Sequence, residues 1–177
     1  MRERTFTTGL VPAAPSDLHH LAAAAEHWQR GDISACRDLE ARICAALLSH
    51  HGWEYVAPRP YVPPVKQGRK IVERERPPVG SRIARAYRYE SGAGSEEAPA
   101  PQILTDIGQA FGLLHGRVLL QLSDIGADGL PYAHVAGGER SAMGAEGKAM
   151  GGATLAATLV AAILRCEAMD RDVRRAA

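Results

Sequence analysis

The segment from Ala153 to Asp170 constrains the fold most strongly, because its apolar residues recur at the spacing of a helix that buries one face. That face is predicted to comprise Leu155, Leu159, Ala162, Ile163 and Cys166 or Met169. Much of the chain's 46% hydrophobic content is alanine, whereas aromatic residues make up 5%. We therefore expect closely packed helices around this segment and not a large aromatic core.

Two further helices are predicted near the N-terminus. Ser16-Asp17 is a suitable N-cap for a helix that runs to Arg30, and a second helix begins at Asp32 or Ser34 and stops at Gly52. Because only a short turn at Gly31 separates them, the two helices are expected to form an α-hairpin. Residues 1–15 carry helix-breaking threonine, glycine and proline residues and are predicted to be an arm.

Strands are predicted mainly in the second half of the chain. Residues 117–123 form the best strand pattern, and the Asp128-Gly129 turn signal makes residues 132–136 its hairpin partner. A helix is expected between Pro101 or Thr105 and Leu114. Shorter strands are predicted at 53–56, 69–76 and 82–89, and loops at 91–101 and 137–152.

The length of 177 residues suits one domain with an appendage. We expect residues 1–31 to form the N-terminal arm and helix, and residues 32–177 to form a single α+β domain. Six prolines exclude a helix over most of the segment between residues 57 and 78. The Pro/Arg-rich stretch at about 57–100 is therefore the least regular part of the predicted domain.

Basic residues are concentrated in one strip of a nearly neutral chain. The net charge is +1, yet residues 66–88 hold eight Lys or Arg against two Glu, which makes this segment +6 and the remainder −5. Cations and aromatic residues alternate at its end, a composition used for phosphate contact and base stacking. The predicted nucleic-acid contacts are Arg82, Arg85, Tyr87, Arg88 and Tyr89. The alternative is an edge strand whose charges prevent pairing with other chains.

A glycine-rich segment, 137–152, precedes the last helix and indicates a second anion site. Backbone N–H groups at a helix start attract anions, and basic side chains lie nearby. The predicted ligand contacts are Arg140, Lys148, Gly151 and Gly152. A phosphate-loop pattern is nearly complete at Gly147-Lys148. It lacks two required residues, because Ala142 and Ala149 occupy the positions of a glycine and a hydroxyl.

No complete catalytic or metal-binding motif is present in the sequence. There is no G-x-S-x-G, the histidines lack the i, i+4 spacing of helical metal ligands, and the three cysteines fall on apolar helix faces. We therefore expect no catalytic residue, no metal and no cofactor. Sparse buried thiols, with no signal peptide and no apolar run long enough for a membrane span, favour a cytoplasmic protein.

Three segments together resemble the phage ABA-sandwich domain family. They are a helix that ends in Gly-Trp (residues 41–53), a proline-led helix with a Thr-Asp start (101–114), and an alanine-rich closing helix after a hairpin (151–168). The resemblance implies helices on both sides of a small antiparallel sheet, in three layers. It makes residues 66–99 an insertion and the first helix an extension, and it implies no catalytic residues.

We therefore expect a non-enzymatic accessory protein of phage type that binds an anionic ligand, of which a nucleotide-like small molecule is one form. One alternative is a nucleic-acid-binding module that uses the basic strip. Another is a structural or protein-interaction component of a phage assembly, with a second copy, a phage protein or a host protein as its partner. An enzyme with a site assembled from distant residues also stays open.

Overall fold

The computed structural model describes residues 14–30, 33–57, 66–67, 70–71, 82–89, 92–126, 128–139, 141–142 and 144–177. The helices in these residues are α1 (Pro15–His27), α2 (Ile33–Leu48), α3 (Ile107–Phe111) and α4 (Leu155–Ala176), with a 3-10 turn at Ser49–His51. The strands are β1 (Trp53–Val56), β2 (Lys66–Gln67), β3 (Lys70–Ile71), β4 (Arg82–Tyr89), β5 (Gly92–Pro99), β6 (Val118–Ser123), β7 (Tyr132–Ala136) and β8 (Glu146–Met150). The predicted α+β class with an N-terminal helix ahead of small antiparallel sheets is confirmed.

The first two helices contact each other, as expected of the predicted α-hairpin. Asp17 lies in the first turn of α1 and accepts a hydrogen bond from the Ala14 backbone N–H at 3.0 Å. In α2, Cys36, Ile43 and Leu47 lie on one face and are buried, and Leu39 on the same face is half-buried. After the 3-10 turn the chain leaves the helix through Gly52, which adopts a φ of 79°. The predicted arm, residues 1–13, lies outside the described residues.

The first three-stranded sheet has the order β1-β4-β5, and α2 packs against β1 and β4. The predicted strands at 53–56 and 82–89 are confirmed. The loop predicted at 91–101 is wrong, because β5 pairs with β4 along its whole length, from Arg82 opposite Pro99 to Tyr89 opposite Gly92. The glycine and alanine residues of β5 have low strand propensity, and the hydrogen bonds to β4 override it.

The second three-stranded sheet has the order β6-β7-β8 and packs against α4. The predicted hairpin of β6 and β7 is confirmed. The loop predicted at 137–152 is wrong over 146–150, because β8 pairs there with β7. Gly147 of β8 faces the helix so closely that a Cβ atom would lie 1.9 Å from the Ala162 carbonyl oxygen. Absence of a side chain at this glycine therefore allows the strand to approach α4.

The central helix of the fold is α4. Residues 156–164 are buried on every side, because β7 and β8, α1 and α3 all contact this helix. The helix predicted over 153–170 is longer than expected at its C-terminal end, since α4 continues to Ala176. Arg171 donates to Glu167 and to the Ala46 carbonyl, and Arg174 pairs with Asp170, so ion pairs along the helix hold its last turns. None of the described helices is long and apolar enough to cross a bilayer.

The helix predicted between Pro101 or Thr105 and Leu114 is shorter than expected. Asp106 is its N-cap and accepts hydrogen bonds from the N–H groups of Gly108 and Gln109. Ahead of it, a turn closed by the Asp106 N–H on the Gln102 carbonyl at 2.9 Å leads in from β5. The buried residues Ile103 and Leu104 in this turn anchor it to the core. The turn also forms one wall of the cavity described below.

Candidate functional site

The predicted anion contacts of the glycine-rich segment lie on different elements. Lys148 is exposed on β8, and its Nζ atom lies 3.8 Å from Glu146 Oε2. Gly151 is exposed with a φ of 89°, whereas Gly152 is buried, and a Cβ atom there would lie 2.6 Å from Thr158 Oγ1. Arg140 lies outside the described residues. Because Gly147 and Lys148 belong to a strand, the nearly complete phosphate-loop pattern does not form a loop at that position.

The predicted contacts at the end of the basic strip lie on β4. The edge-strand interpretation is wrong for residues 82–85, which lie between β1 and β5, whereas residues 86–89 pair with β5 alone among the described strands. The Nε atom of Arg82 lies 3.0 Å from Glu97 Oε1 on β5, which pairs this cation within the sheet. For the other predicted contacts the structure gives the register of β4 against β5: Arg85 is opposite Glu96, Tyr87 opposite Gly94, Arg88 opposite Ala93 and Tyr89 opposite Gly92. A role for the strip in nucleic-acid binding stays a prediction.

A cavity of about 450 Å³ lies between the end of α1, the start of α2, the turn at 102–105 and the N-cap of α4. Its volume falls in the usual range of small-ligand pockets, roughly 300–1,000 Å³. Apolar parts of the wall come from Trp28, Ile33 and Cys36, and charged parts from Arg30, Arg37 and Glu40. The wall therefore combines apolar surface with a few charged groups, as ligand sites in proteins do.

Glu40 is the most unusual of these residues, because its carboxylate is fully buried. It accepts hydrogen bonds from the Leu104 backbone N–H at 3.0 Å and from Arg37 Nη1 at 2.5 Å. Burial raises the pKa of Glu40, while the bond from Leu104 and the charge of Arg37 act in the opposite direction. The charge of Arg37 is therefore already matched inside the protein.

Two helices hold the 100–104 segment in place as the opposite wall of the cavity. From α2, Arg37 Nη2 donates to the Ala100 carbonyl. From the start of α4, the Thr154 hydroxyl donates to the Leu104 carbonyl at 2.5 Å and accepts from the Ala157 N–H at 2.9 Å. These bonds satisfy buried polar groups on both sides of the segment, so the wall is preorganised before any ligand arrives.

Two hydrogen-bond donors of the cavity have no acceptor among the described residues. Trp28 Nε1 is buried and has no hydrogen-bond partner there. Arg30 is exposed, and no carboxylate in the described ranges forms an ion pair with it. The indole N–H is closed to solvent, so Arg30 is the one of these two donors that a ligand in the cavity can reach.

The wall has few of the features that catalysis requires. Burial raises the pKa of the Cys36 thiol to about 11, and this keeps it protonated and weakly nucleophilic near neutral pH. No three His, Cys, Asp or Glu side chains in the described part of the chain are grouped so that they could hold a metal ion. What the arrangement offers chemically is binding: apolar contact together with a cation that a ligand can reach.

The sequence patterns did not point to this cavity. The predicted ligand contacts did not include Trp28, Arg30, Arg37 or Glu40. One signal was present: Glu40 lies four residues after Cys36 and four before Cys44, inside the apolar stripe of α2. A carboxylate at such a position requires a buried partner, but the sequence does not identify that partner.

Comparison with protein-family models, with curated proteins and with solved structures found no match to this chain. The resemblance to the phage ABA-sandwich family therefore stays an expectation from the sequence. The functional argument depends on the geometry of the cavity.

Proposed function

We propose that this chain is a non-enzymatic binding protein that takes up an anionic small molecule in the cavity beside Trp28 and Arg30. The observation that carries the proposal is the Arg30 guanidinium, which lines a partly apolar cavity and has no ion-pair partner among the described residues. An anionic oxygen is a strong acceptor for a guanidinium.

The surroundings of Arg30 support the same conclusion. Arg37 and Glu40 form an ion pair, so the negative charge of Glu40 is offset by the positive charge of Arg37. Arg30 then leaves the site with a positive excess, which favours an anion over a neutral ligand. The nucleic-acid alternative has less support, because Arg82 of the basic strip is paired with Glu97.

The test is calorimetric titration with benzoate and with benzamide, its uncharged analogue of similar shape. We expect benzoate to bind more tightly, and Arg30→Gln to weaken benzoate binding by about ten- to a hundredfold, the range of a hydrogen bond to a charged group. Arg175→Gln is the matched control, because Arg175 is an exposed arginine in the last turn of α4 and does not line the cavity. Equal affinity for benzoate and benzamide, or no effect of Arg30→Gln, would contradict the proposal.

Intrinsic fluorescence provides an independent readout at Trp28. The chain has two tryptophans, so a Trp53→Phe background leaves Trp28 as the single reporter. Benzoate binding in the cavity is expected to change the emission of that variant, and the change should saturate at the affinity measured by calorimetry. A saturating calorimetric signal with unchanged Trp28 emission would place the ligand elsewhere.

A further inference from the structure

The charge balance of the cavity limits which anions suit it. Arg30 is the cation of the wall that no described carboxylate matches, since Arg37 lies against Glu40. Glu40 is itself part of the wall and accepts from Arg37 at 2.5 Å and from Leu104 at 3.0 Å. A ligand with several negative charges would therefore have one unpaired cation of the described wall, Arg30, for all of them.

Part of the apolar wall is exposed, as Arg30 is. Ile33, the first residue of α2, is 79% exposed, although a large aliphatic side chain is stabilised by burial. It lines the cavity together with Cys36 and Trp28. Isolated exposed apolar residues are common on proteins. Here, however, the exposed isoleucine shares a cavity with Arg30, which no described carboxylate matches, so one amphipathic molecule would satisfy both.

We infer that the ligand is a small organic acid with a single negative charge and an apolar or aromatic body, and not a nucleotide. Its acid group is bound by Arg30, and its body covers Ile33 and Cys36. This inference rests on the proposed function, because it names the class of anion that the same cavity takes up.

The test uses one apolar body with different charges. Calorimetric titrations with 2-naphthoate, naphthalene-2-carboxamide and naphthalene-2,3-dicarboxylate compare one, no and two negative charges, and AMP and ADP represent nucleotides. We expect 2-naphthoate to bind at least about tenfold more tightly than each of the others, the ratio expected when one charged hydrogen bond is matched and further charges are not.

Two variants separate the contributions of the acid group and the apolar body. Arg30→Gln should weaken 2-naphthoate and leave the carboxamide nearly unchanged, whereas Ile33→Ser should weaken both by a similar factor. Because Ile33 is 79% exposed, Ile33→Ser is not expected to prevent folding. The matched control is Ile125→Ser, since Ile125 is also a largely exposed isoleucine, at 72%, on a turn that does not line the cavity. It should leave both affinities unchanged.

The outcomes distinguish this inference from the proposed function. If ADP or AMP binds more tightly than 2-naphthoate and Arg30→Gln abolishes that binding, the monoanion class is wrong while anion binding in the cavity stands. If Ile33→Ser and Ile125→Ser have the same effect, the apolar body does not contact α2 and the inference fails. If no anion binds better than the carboxamide, both proposals fail.

Discussion

Replacing Glu40 with leucine is expected to lower the free energy of unfolding by about 3 kcal/mol, because it removes one partner of a buried ion pair and leaves the other in place. Glu40 is fully buried, and it is the acceptor for both the Leu104 N–H and Arg37 Nη1. A leucine has a similar size but accepts no hydrogen bond. The substitution therefore leaves one buried amide and one cation without their partner.

The magnitude follows from these two losses. An unsatisfied buried N–H at Leu104 costs about 1–3 kcal/mol. Loss of the partner of Arg37 costs less than the roughly 3–5 kcal/mol typical of a fully buried pair, because the Arg37 side chain is 26% exposed and water can reach it. Burial of the leucine side chain returns about 1–2 kcal/mol, so a net loss of about 3 kcal/mol is expected.

Urea denaturation followed by far-ultraviolet circular dichroism measures this loss. With a denaturant slope of about 2 kcal/mol/M, the midpoint should fall by about 1.5 M. Glu54→Leu is the matched control, because Glu54 is an exposed carboxylate on β1, and its replacement should change stability by at most about 0.5 kcal/mol. The double variant Glu40→Leu with Arg37→Met should be less destabilised than Glu40→Leu alone, since no uncompensated cation remains. A Glu40→Leu midpoint equal to that of the Glu54→Leu control would refute the reasoning.

Three further predictions concern the pH dependence of Glu40 and the packing of α4. Burial raises the pKa of Glu40 above 4.5, so its protonated form contributes stability that is present below pH 4.5 and is lost as pH rises through the raised pKa. The urea midpoint of the wild type relative to that of Glu40→Gln should therefore fall over this pH interval. A difference between the two midpoints that stays constant with pH would disprove the coupling. Gly147→Ala should destabilise by more than about 3 kcal/mol, since its Cβ would lie 1.9 Å from a backbone oxygen of α4. Gly144→Ala is the control, because a Cβ atom there meets nothing within 4 Å; it should lower the free energy of unfolding by about 1 kcal/mol through its positive φ alone. Equal urea midpoints for the two variants would contradict this packing argument. Thr154→Ala should cost about 1–2 kcal/mol through loss of the α4 N-cap, which thermal unfolding would show as a lower Tm; an unchanged Tm would argue against the cap.

The helices were predicted well because their signals are local. In α2, Cys36, Ile43 and Leu47 at helical spacing are buried and Leu39 is half-buried; in α4, Leu159, Ala162, Ile163 and Cys166 of the predicted face are buried. The rest of α4 between residues 156 and 164 is buried as well, which the prediction of one buried face did not include. The end of α4 was predicted too early, at Asp170, because charged residues follow it. In the structure Arg174 pairs with Asp170 one turn earlier, so the same charges extend the helix.

Whether each strand was predicted correctly depends on how much of its sequence signal is local. The hairpin of β6 and β7 follows from alternating apolar residues around the Asp128-Gly129 turn, and both strands form where they were expected. Strands β5 and β8 were predicted as loops because glycine, alanine and glutamate have low strand propensity. Each forms because a neighbouring strand, β4 or β7, supplies its hydrogen bonds, and no local pattern shows that pairing.

The sequence by itself determined the helical segments, the β6–β7 hairpin, the α+β class and the lack of a complete catalytic motif, because each depends on residues that are close along the chain. Only the tertiary structure decided that Glu40 is buried against Arg37 and Leu104, and that Trp28, Arg30 and Thr154 line one cavity. Residues 28–40 are close together in the sequence, but Leu104 and Thr154 lie far from them along the chain. Their proximity, and therefore the candidate site, results from the packing of α1, α2 and the start of α4, which no spacing in the sequence encodes.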